Sequence, residues 1–481
     1  MRRYIYLIMA ALTVLLPACQ KEKSETPDTS DIMQLSVNGE EYTLPLTADT
    51  VVDLTTLCTE FDAEITIKNA SQFQELSIDG QSLAGGSCHH HVDTIAAGRQ
   101  IVLRYRSGEK EGVLRLNTLH SGIPRMETSG HATADGDFYL SFVYQRLIMK
   151  YDNEGHILYY RYEPHQTQNA VDVTGWWDFK KHNVGGTTYY SYHAPDPTFS
   201  HLIINGYNPG KRVIMNDRYR VVKTVQLEAS GPYVHQGDPI DGHDFVLFDL
   251  DHYIMASYID RQIGDSTVAA AYLQEVQNGQ VVFDWWSVDH PEMVGMFDPT
   301  FSTSAGKDYV HFNSIQILPD GNWLCSFRHI SSLLKIARAD GSGDILWCID
   351  GPAQPSGYNF YGQHYAHLDG NTLTLFDNGN GHTPQVSRAL RLTIDPATGI
   401  VLEGGNTISG DYFSQACGAV TPVGTHIVVG WGMAGTDGGI DKTDRVVTEH
   451  DASGNEIFGI RNTGEAIAQN ILRCSYRCVK Q

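Results

Sequence analysis

Long apolar runs are missing beyond the first residues of this chain, so no later segment is expected to cross a bilayer as a helix. Basic side chains are scarce, with 34 Lys and Arg against 56 Asp and Glu and a formal charge of -22. A surface of that sign argues against nucleic acid as a partner. An anionic substrate would need a local cluster of positive groups inside a repelling field. Capped helical periodicity is largely absent too, which leaves β architectures as the natural reading. No C-x-x-C pair and no Cys/His spacing here reads as a zinc site, and no metal or other cofactor is expected. The acidic, glycine-rich stretch 433–444 lacks the ordered oxygen-ligand spacing of a calcium loop and reads as a solvated connection. Besides Cys19 there are cysteines at 58, 88, 325, 348, 417, 474 and 478, an odd set that leaves at least one thiol unpaired. Cys58 with Cys88 and Cys325 with Cys348 are candidate pairs.

What the sequence does have begins at its N-terminus, MRRYIYLIMAALTVLLPACQKEKSE. Arg2 and Arg3 precede an apolar run over about 4–16, too short to span a membrane comfortably, and Leu16-Pro17-Ala18-Cys19 resembles a bacterial lipobox. The expectation is a lipoprotein signal peptide over 1–18, removed on export, and acylation of Cys19. Two or more acyl chains anchor stably. Residues 19–32 are charged, contain Ser and Thr, and read as a lipidated linker. The protein is thus expected in the bacterial cell envelope, held to the membrane by its lipid, periplasmic or surface-exposed. Loss of Arg2 and Arg3 leaves 32 basic against 56 acidic residues. A homodimer is left open.

From 33 to 120 short alternating segments such as AEITIKNA and QIVLRYRS, with Asn38-Gly39 and Asp79-Gly80 as turns, predict a small β-sandwich. Within it His89-His90-His91 reads as an exposed loop. From 121 to 481 one supersecondary unit recurs, a turn beside a β-branched or aromatic strand. The better-matched units begin near His243, His311, His364 and Cys417, separated by 68, 53 and 53 residues. That spacing suits four-stranded blades, so a six-bladed β-propeller is expected, with a pair of β-sandwiches as the alternative. Three consecutive units carry a histidine just before the strand that a propeller would turn toward its axis. Imidazoles distant in sequence would then meet.

His311 and Asn313 are two apart and share one face of a strand. The next strand, WLCSFRH, brings Arg328, a positive fork suited to a tetrahedral oxyanion. His329 follows it and is expected on the opposite face; His367, three past His364, is likewise expected to point away. The ordered blocks DYVHFNSIQILPDGNWLCSFRHISSLLKI, GDILWCIDG, YGQHYAHLDGNTLTLFDNG and SRALRLTIDPATG resemble the bacterial arylsulfate sulfotransferase family that uses no nucleotide sulfate donor. The resemblance runs from about residue 123 to the end and is strongest over 243–433. It implies a propeller with an axial active site. It also implies transfer of a sulfuryl group from a phenolic sulfate ester to a phenol acceptor through a sulfated histidine, with ping-pong kinetics. By motif, His364 in the Q-H element would be the nucleophile; His243 in H-D, His311 and Asn313 in H-x-N-S and Arg328 in S-F-R would line the sulfate pocket. The resemblance is loose over 123–240 and generic around Cys417, so no site residue is named there.

Independently of the family, a neutral imidazole is a good nucleophile near neutral pH, and its sulfated form passes the group onward. Three other readings stand beside transfer: hydrolysis of aryl sulfates, a catalytically silent surface propeller that binds glycan or protein, and a transition metal held by channel histidines.

Overall fold

The computed structural model describes residues 31–60, 63–83, 85–164, 175–202, 206–297, 308–404, 407–409, 412–433, 445–463 and 474–481. Cys19, the leader before it and the 434–444 stretch lie outside these residues. The described residues are all-β, arranged in eight sheets of four or five strands. Among them, one α-helix occurs, the single turn Pro291–Val294.

The first two sheets use residues 32–117 and show the period of a half-covered strand. Ile32–Val37 and Ala63–Ile67 bury alternate residues, so one face of each strand packs inward. Leu35, Val37, Ile65, Leu103 and Leu114 join Phe138, Leu140 and Phe458 of later sheets in one apolar core. The short strand Thr56–Cys58 leaves this region to pair with Ile157–Tyr162 at the margin of the third sheet. The His89-His90-His91 run is not the loop the sequence suggested: His89 and His90 lie in the strand Ser87–His90, paired to Ala63–Ile67. His90 is held there by Asp79 at 3.0 Å.

Six antiparallel sheets follow in chain order. Their leading strands are Phe138–Phe142, Trp177–Val184, Phe245–Asp249, Phe312–Ile317, His364–Asp369 and Ala419–Val423. Each of these contacts the next, and Ala419–Val423 contacts the C-terminal strand Ser475–Lys480, which pairs back onto Phe138–Phe142. The series is therefore closed by hydrogen bonds between sequence-distant strands. A second closure occurs further out, where Met126–Gly130 pairs with Glu456–Asn462 of the last sheet.

Because neighbours cover both faces, Phe138–Phe142 and Ser475–Lys480 bury every residue, charged ones included. A buried charge has to be paired. Arg477 meets Asp178 at 2.7 Å, Asp178 also holds Lys180 at 2.9 Å and Arg212 at 2.8 Å, and Lys180 reaches Asp244. Arg477 further donates to the Asn313 carbonyl at 2.8 Å and lies 4.4 Å from the centre of the Tyr365 ring. Burial opposes ionisation of Asp178, but Lys180, Arg212 and Arg477 outweigh it and hold the carboxyl well below the usual range. The leading strands of several sheets are thus joined by charge at their centre.

Cys325 and Cys348 do not pair. They lie on strands separated by Ser332–Ile336, each registered against Leu334, so about 9–10 Å of sheet divides them. Cys58 and Cys88 lie in different sheets.

Candidate active site

His243, His311, His364 and Cys417 each stand at or just before the leading strand of four successive sheets, as the repeat spacing anticipated. The imidazoles of His243 and His311 lie 4.8 Å apart, edge to face. His364 is close enough to Arg328, His243 and His311 for their charge to bear on it: burial, then Arg328, push its pKa well below the usual histidine value. The three imidazoles are only 2%, 4% and 2% exposed for His243, His311 and His364.

Each imidazole is oriented through Nδ1, and the partners differ. His243 Nδ1 sits 2.7 Å from Asp241 Oδ2, and the same carboxylate accepts the His243 backbone N–H. His311 Nδ1 sits 2.5 Å from Asp308 Oδ2, while its backbone N–H bonds the other oxygen of that carboxylate at 2.9 Å. Burial raises the Asp308 carboxyl to about 6 and drives His311 well below its usual value, so this buried pair resists charging on either side. His364 Nδ1 instead lies 2.6 Å from Asn378 Oδ1, with the Gly362 carbonyl at 3.2 Å. Its Nε2 receives the Cys417 backbone N–H at 3.2 Å.

Local backbone strain marks the same place. His311, Tyr365 and Cys417 have φ of +52°, +51° and +64°, a region that non-glycine residues occupy at a cost of about 1–3 kcal/mol each. The Tyr365 kink coincides with a register shift between His364 and His367. Gly206, at φ +90°, lies against the His311 ring; a Cβ there would strike His311 Cε1.

Arg328 forms the outer layer. It follows the last residue of Trp323–Phe327, and one of its Nη groups donates to the Gln415 carbonyl at 2.7 Å. Asn380 donates to the same carbonyl at 3.1 Å. The Arg328 Nε is buried without a hydrogen-bond partner, a donor left over for a ligand. Trp177 adds an aromatic wall, 5.5 Å from His243 and stacked on Tyr476 at 4.5 Å.

One sequence expectation changes here. His329 does not turn away: its ring stacks on His311 at 4.5 Å and its Nδ1 bonds the Asp308 carbonyl at 2.6 Å. The strand ends at Phe327, so strand alternation no longer governs residue 329. Asn313 shares the region, but its amide donates to the Gln363 carbonyl at 2.7 Å and accepts the Tyr365 N–H at 3.4 Å. It holds the approach to His364 in register. His367 lines a separate cleft with Lys181, His182 and Gln316 that does not include His364. Asp308, His311 and His329 bring donor atoms within 4.8 Å of one another. The His311 and His329 rings are nearly parallel, at 29°, so their in-plane lone pairs do not converge on one ion.

Asp241, Asp308, Asn378 and the Cys417 N–H were not singled out from sequence. The F-D-N-G string contained Asn378, but a backbone N–H such as that of Cys417 has no side-chain signature.

No curated protein matches the chain at a significant level. Among solved structures, a Bacteroides caccae protein of unknown function shares 10% identity over 72% of this chain and 98% of its own, with a TM-score of 0.40. A putative 6-phosphogluconolactonase from Bacteroides fragilis shares 12% over 85% and 98%, with a TM-score of 0.33. Virginiamycin B lyase from Staphylococcus aureus shares 11% over 70% and 99%, with a TM-score of 0.31. At these TM-scores the likeness bears on neither fold nor activity. The family model described as arylsulfotransferase matches residues 198–453, a span that contains His243, His311, Asn313, Arg328, His364, Asn378 and Cys417. More than half of the sequence lies in that match, and the chain belongs to the arylsulfotransferase family.

Proposed function

We propose that this protein is an arylsulfate sulfotransferase whose six closed sheets are the blades of a β-propeller, the two N-terminal sheets forming a small sandwich beside it. Its nucleophile is His364. One observation carries the reading: histidines from three successive sheets gather, Arg328 is close enough for its charge to bear on His311 and His364, and of the three only His364 has a neutral Nδ1 partner.

The Nε2 lone pair of His364 attacks the sulfur of an aryl sulfate. The S–O bond to the ring breaks, and its electron pair leaves on the phenolic oxygen. The imidazole of the Asp241–His243 pair supplies the proton that this oxygen takes up, since phenols have a pKa of about 10. In the second half the same imidazole takes the proton of a phenol acceptor, whose oxygen attacks the sulfur. The N–S bond breaks and returns its pair to Nε2. Arg328 stabilises the sulfuryl oxygens; removing a donor of this kind costs about 3 kcal/mol of barrier. A donor sulfate would meet the unpartnered Nε of the guanidinium, while one Nη stays bonded to the Gln415 carbonyl. No step is routed through a metal.

Anchoring through acylated Cys19 in the cell envelope completes the proposal on sequence grounds.

The test is to incubate purified protein with a chromogenic aryl sulfate, with and without a phenol. Acceptor-dependent turnover, a new aryl sulfate product, and a sulfated His364 peptide trapped with donor alone are expected. Inorganic sulfate as the main product, or full activity in His364→Asn, overturns the reading.

A further inference from the structure

We infer that Asn378 is the positioning residue that makes His364, alone of the three site histidines, a nucleophile: it fixes the ring proton on Nδ1 and leaves Nε2 unprotonated, its lone pair engaged at rest only by the Cys417 N–H, which a sulfate has to displace. The inference rests on the transfer reaction proposed above for its chemical meaning, but the protonation state it assigns does not.

The direction of the hydrogen bonds carries the argument. Asn378 Nδ2 donates to the carbonyls of Ser414 at 2.8 Å and Cys417 at 3.0 Å, which sets the orientation of the amide. Its Oδ1 therefore faces His364 as an acceptor, at 2.6 Å. The other group at Nδ1 is the Gly362 carbonyl, also only an acceptor. At the far side of the ring Nε2 meets a donor, the Cys417 N–H. Acceptors at Nδ1 and a donor at Nε2 are satisfied together by one form, the neutral imidazole with its proton on Nδ1. Asn378 is buried and 0% exposed, so no water substitutes for it.

The neutral partner separates this ring from its neighbours. A carboxylate behind an imidazole favours its charged form, which suits His243, backed by Asp241, to moving protons, whereas the buried Asp308–His311 pair resists charging. An amide gives no such stabilisation. The proton stays on Nδ1 while the N–S bond forms at Nε2, the sulfated ring becomes cationic with no counter-charge behind it, and it gives up the sulfuryl group readily to a phenol oxygen.

The first measurement uses the wild-type protein labelled with 15N in its imidazoles, with His364 assigned by difference from His364→Gln. Between pH 6 and 8 a protonated Nδ1 and an unprotonated Nε2 are expected; a protonated Nε2 in that range overturns the inference whether or not the protein transfers sulfate. The second compares Asn378→Asp with Asn378→Ala in the donor-only release of phenol. Asp behind the ring is expected to move the alkaline-rising limb of the pH profile up by about one unit or more. Ala, which does not set an acidic oxygen against the Ser414 and Cys417 carbonyls, is expected to lower kcat about tenfold or more with donor KM within about twofold. An unchanged profile in Asp, or in Ala an effect confined to KM, overturns it. Wild-type protein with the assigned tautomer but no transfer would sink the proposed function and leave the assignment standing.

Discussion

Acidification from pH 7 to 5 should destabilise the fold, and His193 allows the size of the effect to be worked out. It is fully buried beside Gly242 and Trp177, and neither ring nitrogen makes a well-formed hydrogen bond. Burial, reinforced by Arg212, pushes its pKa to about 3. In the unfolded chain a histidine titrates near 6.5, so on going from pH 7 to 5 the unfolded state takes up about 0.7 of a proton and the folded state almost none. A group whose folded pKa is depressed loses its contribution as pH falls below the unfolded value, here by about 2 kcal/mol over those two units. His182 and His364, both driven well below the usual value by burial, act in the same direction. Asp308 acts in the opposite one: raised to about 6, it binds a proton in the fold first and returns about 1 kcal/mol. Urea unfolding at the two pH values, in wild type and His193→Leu, isolates the term. The stability difference between pH 7 and 5 should shrink by about 2 kcal/mol in the variant. An identical pH dependence in both proteins would refute the reasoning, whatever the absolute stability of the variant.

Arg477→Met leaves Asp178 and Asp244 paired with Lys180 and Arg212 but strips the Asn313 carbonyl of its donor, and should lower stability by about 1–3 kcal/mol by urea titration. In Asn313→Ala the Gln363 carbonyl and the Tyr365 N–H lose a partner; a loss of about 1–3 kcal/mol is expected with donor KM nearly unchanged, and a large rise in KM at unchanged stability would make Asn313 a substrate contact instead. Cys19→Ser should abolish incorporation of labelled fatty acid and release the protein from the membrane fraction; retention would point to another anchor.

How much of this was legible follows from what each residue's role depends on. The phase of His243, His311 and His364 could be read because a repeated strand carries its first residue to the same place in every sheet. Arg328 could be read from the residues around it. His329 could not, because its position depends on where a strand stops, and nothing in SFRH marks Phe327 as the last residue. The sequence placed Asn313 on the right face and said nothing of its amide, which two backbone groups of a strand some fifty residues away claim first. The pairing of Ser475–Lys480 with Phe138–Phe142 joins segments more than three hundred residues apart, and no local pattern encodes it.

That last pairing has a consequence for biosynthesis. The strand that completes the first of the six sheets, and one of the guanidinium groups that neutralise Asp178 at their centre, follow all three site histidines in the chain and so leave the ribosome after them. Until they arrive the remaining strands have nothing to close against. A nascent or prematurely ended chain is therefore not a weakened copy of the protein but one in which the histidines have no reason to meet.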